Sequence, residues 1–354
     1  MGDGNDASAE LEDRVLRAAS ESTPLDIVGG GSKSFLGRIT QSEPLSVDGH
    51  RGVVSYEPTE LVITARAGTP LTEIEALLAD SAQMLAFEPP HYGATATLGG
   101  TVASALSGPR RPYAGAVRDF VLGIKVLNGE GRTLSFGGQV MKNVAGYDLS
   151  RLMVGAMGTL GVLLEVSLKV LPSPAYTTTL RFSLDAAAAI EQMNNWAAKP
   201  LPLSGACHEG ETLHVRLSGT AGGVAQAVDR MGGDAVEDAP HWRDLREQAL
   251  DYFDTRAPLW RISVPPATPP MKLPGETLID WGGALRWLKS EAPGEEIRAA
   301  ADSVGGHATL YRNGDRRGAI YHPLKPALLA LHQRLKASFD PKGILNSGRM
   351  YADL

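Results

Sequence analysis

The run Gly29-Gly30-Gly31-Ser32-Lys33-Ser34 follows directly on the short apolar stretch Leu25-Asp26-Ile27-Val28. Glycines permit positive φ and close approach of the main chain to a ligand. Successive N–H groups can then converge on phosphate oxygens, with Ser32 and Ser34 adding hydroxyl donors and Lys33 a charge. The chemistry this predicts is a pyrophosphate cradle; without a ligand, the same run reads as a glycine turn between strands. Two familiar nucleotide loops fail on spacing. A Walker A loop needs glycine where Ile27 and Ser32 stand, and a dinucleotide fingerprint needs a small apolar closing residue at Ser34 and a helix where Phe35-Leu36-Gly37 follows.

A second glycine loop runs from Glu88 to Ser104 and offers Pro90, Gly93, Thr97, Gly99 and Gly100. Its small-residue end predicts a helix start, where free N–H groups favour an anion and Gly99-Gly100 lets the backbone lie flush against a flat ring or phosphate. A third segment, Lys142 to Leu149, leads into Gly155-Ala156-Met157-Gly158-Thr159-Leu160-Gly161-Val162, from which Gly158, Thr159, Gly161 and Val162 are expected at the same ligand. Three separated glycine loops predict one extended ligand. His208-Glu209-Gly210 lacks the second histidine of a zinc helix, and His322 and His332 are too far apart for one helical turn, so no metal site is expected.

The elements that must position these loops follow from periodicity. Leu11, Val15, Leu16 and Ala19 repeat at helical spacing up to Thr23-Pro24, and Leu25 to Val28 then reads as a strand. Glu60 to Ala67 is a β-branched strand candidate, after which Gly68-Thr69-Pro70 opens a helix carrying Leu71, Ile74, Leu77 and Leu78. Further strands are expected at Phe120 to Leu127 and Val162 to Leu171, the latter stopped by Pro172 and Pro174. A domain boundary is therefore placed at Pro174. Residues 1–10 are expected to be a disordered tail, and Pro265 to Pro270 a stiff loop.

Composition narrows the function. A net charge of -6 and the absence of any basic tract exclude a nucleic-acid surface. The single Cys207 excludes an internal disulfide or an iron–sulfur cluster and agrees with a reducing, cytoplasmic setting. The most apolar stretch, Leu152 to Leu164, is too short and glycine-rich for a transmembrane segment, so any membrane contact is expected to be peripheral, through partners.

In order and spacing, the loops Gly29 to Ser34 and Pro89 to Gly100, the segment Val117-Arg118-Asp119-Phe120-Val121-Leu122-Gly123, and Gly158 to Val162 resemble the FAD-binding domain of the vanillyl-alcohol-oxidase or PCMH-type flavoproteins. Longer runs, among them Tyr56 to Arg66, Gly137 to Gly155 and Leu278 to Lys289, are similar to the FAD-binding subunits of bacterial-type glycolate oxidases. The ending Asp340 to Met350 resembles the family's C-terminal signature, with Ser347 where proline is usual. The resemblance implies an α+β fold: a two-subdomain PCMH-type FAD-binding domain over 11–174, then a smaller α+β cap or substrate domain over 175–354 whose C-terminal segment returns to the first.

It also implies FAD as cofactor, bound non-covalently because Ser32 and Lys33 stand where the family usually carries a linking histidine. Arg118, with Asp119 beside it, and Lys142 are placed near the flavin's N1–C2=O edge, where positive charge stabilises the reduced ring. A surface salt bridge is the alternative. The implied activity is oxidation of glycolate, and of other small 2-hydroxy acids, to glyoxylate, with a second FAD-binding subunit and an iron–sulfur subunit as partners. His307 is the candidate catalytic base, because a hydroxy acid must lose its hydroxyl proton as hydride leaves. The alternatives are a self-sufficient FAD-dependent D-lactate or 2-hydroxy-acid dehydrogenase and a non-catalytic flavin relay. Because 175–354 lacks clustered histidines, little turnover is expected from the chain alone.

Overall fold

A computed structural model describes residues 4–138, 148–236 and 239–354. The first helix, Ser8–Glu21, buries Leu11, Val15 and Ala18 on one face and ends at Ser22 in the left-handed region. It starts inside the stretch 1–10 read as a tail, and Asn5 already bridges to Arg51. The strand Leu25–Val28 pairs in parallel with Glu43–Ser46, and on its other side Leu25 bridges to Leu345, with Leu25 N–H donating to the Ile344 carbonyl at 2.7 Å. The chain's last segment thus completes its first sheet, and Ile344 and Leu345 pack with Leu11, Val15, Leu25 and Leu45.

A five-stranded antiparallel sheet follows, in the order Val53–Glu57, Val62–Arg66, Val162–Lys169, Val121–Leu127, Thr133–Gly137. The strand expected from Glu60 begins only at Val62, because Pro58 to Leu61 form a tight turn in which Leu61 takes φ 57°. Val162–Lys169 is central and buried on both faces, which is why it reads as a continuous apolar run. Helix Leu71–Ala79 lays Leu71, Ile74 and Leu78 against this sheet; each buried aliphatic contributes on the order of 1.5–3 kcal/mol.

Beyond Pro174 lies an eight-stranded antiparallel sheet. Register divides its two faces. Arg261 stands opposite Trp287 and Thr309, whereas its neighbour Ile262 stands opposite Arg286 and Ala308. The inner face, with Leu278, Leu285, Trp287 and Tyr311, packs with Leu36 and Leu106 of the first half. The outer face is covered at one end by helices Ala186–Ala197 and Ala221–Met231 and at the other by Gly294–Ser303.

Glu88 ties the halves together, accepting from Arg216 at 2.8 Å and Arg110 at 3.2 Å. Burial pushes its carboxyl up, but the two guanidinium groups outweigh that and hold it below its usual value. Among the described residues no helix is long and apolar enough to cross a membrane.

Candidate functional site

The three glycine loops converge on one cavity of about 880 Å³, open solvent at its mouth included. Gly29, Gly30, Gly31, Ser32, Lys33 and Ser34 line one wall, Thr97, Gly99 and Gly100 a second, and Gly158 and Gly161 a third. Val47, Ala67 and Leu163 supply apolar surface. Among the described residues, the N–H groups of Gly29, Gly30, Gly31, Ser32 and Lys33 make no hydrogen bond, so the first loop offers a row of donors to an anion. Gly31 takes φ 72°. Gly30 is glycine for another reason: a Cβ there would stand 1.4 Å from the Thr95 carbonyl oxygen.

The second wall works differently from the expectation. Helix Leu98–Ser104 leaves no N–H of its first turn free: Leu98 donates to the Thr69 carbonyl at 2.9 Å, Gly99 to the Ala67 carbonyl at 2.7 Å and Gly100 to the Thr97 hydroxyl at 3.2 Å. Strand and cap already use the donors that an anion would need. What Gly99 provides is close helix–strand packing, since a Cβ there would lie 2.7 Å from that of Ala67. The wall is a flat surface for a ring rather than a phosphate site.

Positive charge comes from Lys33 and Arg349. Lys33 is buried, its Nζ 3.3 Å from the His91 carbonyl; burial pushes its pKa down to about 8 against the pull of Glu247. Arg349 donates to the Ser34 carbonyl at 3.2 Å and lies 3.8 Å from Asp26. Beside it Asn346, at φ 44°, accepts from Ile27 N–H at 2.7 Å and donates to the Met157 carbonyl at 2.6 Å, joining the first and third loops. Sequence reasoning placed neither residue in the site, although both belong to the C-terminal signature. Buried Lys336 holds that signature to the third loop, donating to the Thr159 carbonyl at 2.8 Å, to Asp340 at 2.7 Å and to the Leu345 carbonyl.

Other expected residues lie elsewhere. Thr159 accepts from Lys336 behind the cavity, and Val162 is fully buried in its strand. Arg118 and Asp119 are exposed, with Asp119 accepting from Ala116 N–H at 2.9 Å. Gly93 lines a shallow opening with Ser32, Phe35, Tyr92, Glu247 and Arg312. Lys142 lies outside the described residues.

Pro90 borders an adjoining cleft under the inner face of the second sheet, together with Ser107, Gly108, Arg261, Trp281 and Tyr311. Here the guanidinium groups of Arg111 and Arg261 lie 4.3 Å and 4.9 Å from the Trp281 ring. Among the described residues neither forms an ion pair, and the two repel, so the pair is poised for an anion. Burial lowers Arg261, as it does Arg111. Trp281 is fixed by Asp280, which accepts its N–H at 2.6 Å and is itself pushed up to about 7 by burial. His307 pairs with Ser263, two residues along the strand from Arg261 and on the same face. Burial, then Arg261, His322 and Arg111, hold it below the usual histidine value, so it is neutral near pH 7. Among the described residues no group of histidine, cysteine and carboxylate side chains could hold a metal.

Residues 6–137 match the family described as FAD binding domain and residues 315–350 that of FAD linked oxidases, C-terminal domain. The chain is 53% identical over 349 residues to glycolate oxidase subunit GlcE of Escherichia coli (strain K12), covering 99% of both. It is 30% identical over 413 residues to a D-lactate dehydrogenase of Archaeoglobus fulgidus, covering 98% of this chain and 90% of that one. In fold it is similar to p-cresol methylhydroxylase with substrate bound, at a TM-score of 0.71, 14% identity, and coverage of 99% of this chain and 88% of that one.

Proposed function

The chain belongs to the family of FAD-linked oxidases that contains glycolate oxidase subunit GlcE, with FAD as its cofactor, and from that premise we propose that it is the FAD-holding subunit of a glycolate-oxidising assembly. The observation that carries this reading is identity that runs through both halves of the chain rather than through the cofactor domain alone. The site suits the group. The free N–H groups of Gly29 to Lys33, with Lys33 and Arg349, meet the pyrophosphate, and the flat wall at Gly99-Gly100 takes a ring. Among the described residues no histidine, cysteine or tyrosine lines the cavity, which favours non-covalent attachment; acid precipitation then leaves FAD in the supernatant.

Bound FAD supplies a two-electron acceptor for the hydrogen on the substrate's α-carbon. The chain's own residues do the rest. Arg111 and Arg261 hold the carboxylate of a small 2-hydroxy acid against Trp281, and neutral His307 takes the hydroxyl proton as glycolate becomes glyoxylate. Electrons then leave through partners, namely a second flavoprotein subunit and an iron–sulfur subunit, since the lone Cys207 is buried and cannot hold a cluster. An assembly held by such partners at the cytoplasmic side of a membrane fits this arrangement. Anaerobic mixing of the isolated, FAD-loaded chain with glycolate tests the reading: its flavin bleaches, while steady turnover waits for the partner subunits. Flavin that dithionite reduces but glycolate leaves oxidised reassigns the chain to electron relay.

A further inference from the structure

On the outer face of the eight-stranded sheet, away from the flavin site, the two helical covers leave a gap. A cavity of about 570 Å³, open solvent at its mouth included, fills it, with Ala186 at one side and Ile262 and Leu288, which pack beneath helix Gly294–Ser303, at the other. Its walls also carry the apolar Met271 and Ile279, and three polar side chains, His208, Thr277 and Arg286. Arg286 points to this face because it stands opposite Ile262 and Ile279 in the sheet register.

Arg286 is 2% exposed, yet only its Nη2 is used, donating to the Thr268 carbonyl at 2.7 Å. Nε and Nη1 are buried without a partner. Among the described residues no carboxylate lines the cavity and none pairs with Arg286. The neighbouring His208, which carries no negative charge, has its Nε2 engaged with the Leu184 carbonyl at 2.8 Å. Burial alone pulls the guanidinium down to about 10, where it is still charged at neutral pH. A buried cation without an anion is costly to keep, and removing its partner, or never supplying one, leaves that cost in the folded state. A water relieves it only in part and a metal cation would add repulsion; an anion relieves it, and the apolar side chains around it select one whose remainder is hydrocarbon.

We propose that this cavity is a binding site for a small monocarboxylate with an apolar body, its charged end meeting Arg286 and its tail lying against Ile262, Met271, Ile279 and Leu288. The site is separate from the flavin cavity, so it is suited to sensing a metabolite rather than to turning one over.

Hexanoate and its neutral analogue hexanol serve as probes of the purified, FAD-loaded full chain, followed by thermal unfolding. Hexanoate should raise the melting temperature saturably and hexanol should not. Arg286→Met should abolish the hexanoate response, keep its FAD, and melt no lower than the parent without ligand, because the unpaired charge is gone. Thr277→Trp, which fills the cavity from its exposed edge and leaves Arg286 in place, should abolish the response as well. Binding at Arg111 and Arg261 would survive both changes, and glycolate bleaching of the flavin in the same samples scores the catalytic reading separately. The proposal is overturned by an absent or non-saturable hexanoate response in the parent, by an equal response to hexanol, or by a response that persists in Thr277→Trp. A destabilised Arg286→Met whose hexanoate response persists overturns it too, and makes Arg286 a structural tie to Thr268.

Discussion

Gly30 and Thr95 hold each other at main-chain distance: a Cβ on Gly30 would stand 1.4 Å from the Thr95 carbonyl oxygen, while the Thr95 hydroxyl donates to the Gly30 carbonyl at 2.5 Å. The first two glycine loops are therefore one packed unit, and the donors of the first are aimed by the backbone of the second. Gly30→Val must push these loops apart, at a cost of roughly 1–3 kcal/mol or more because the obstacle is backbone and cannot rotate away. The variant should fold, since the five-stranded sheet is untouched, and lose most of its FAD. Flavin content per folded chain, with far-ultraviolet circular dichroism as the check on folding, decides it; full occupancy would remove this loop from the site.

Much of this was legible in sequence where the signal is local. The strand Leu25–Val28 and helix Leu71–Ala79 are found where periodicity and the flanking Gly and Pro put them. The three loops that line the cavity could be picked out because each is rich in glycine. Two things were not legible. The need for glycine at Gly30 lies in a contact with Thr95 rather than in φ, and no spacing rule reports it. Arg111, Arg261 and His307 come together only through sheet register and the fold of one half over the other, and Asn346 and Arg349 reach the cavity only because Leu345 bridges to Leu25. Local patterns carry no information on pairings so distant in the chain.

Asn346 is the joint between that C-terminal segment and the cavity. Asn346→Ala leaves the part-buried Ile27 N–H without its acceptor, a loss of about 1 kcal/mol, and places alanine at φ 44°. Asn346→Gly relieves the backbone but not the hydrogen bonds, and Asn346→Asp keeps the acceptor toward Ile27 while losing the donor toward Met157. Urea unfolding should rank the stabilities parent, then Asp, then Gly, then Ala. A neutral Asn346→Ala, in both urea midpoint and FAD affinity, would show that the joint is not needed.

Lys33 predicts a pH signature. Its folded pKa of about 8 lies below the ordinary lysine value, so in the FAD-free chain the unfolded state binds its proton more readily. The penalty is fully present below pH 8, about 3 kcal/mol in size, and fades as pH rises toward the unfolded value near 10.4. FAD-free chain should therefore gain stability relative to Lys33→Met between those limits, the variant being the more stable below pH 8. Bound pyrophosphate reverses the preference by favouring the charged amine. FAD affinity should then fall above pH 8 in the parent and stay level in Lys33→Met, whose affinity is weaker at neutral pH. Parallel affinity curves in the two proteins would place Lys33 away from the phosphates.

His307 and Arg261 give the test of catalysis. A base must be unprotonated to take the hydroxyl proton, so the rate of flavin reduction by glycolate should fall on the acid side through the pKa of His307. Burial is the first cause of that pKa lying below the usual value near 6.5, and Arg261 is the second, ahead of His322 and Arg111. Arg261→Met removes one nearby positive charge, which makes the protonated imidazole less unfavourable and raises the His307 pKa; the acid limb should move to higher pH. The same change removes half of the carboxylate clamp, so the glycolate concentration for half-maximal reduction should rise by roughly tenfold or more, the loss expected for one charged hydrogen bond. His307→Ala should slow reduction by about 10²–10⁴-fold with little change in that concentration, and should erase the acid limb altogether. Stopped-flow reduction of the isolated chain's flavin across pH reads all three. An acid limb that stays in place in Arg261→Met, or survives in His307→Ala, would assign the proton transfer to another group.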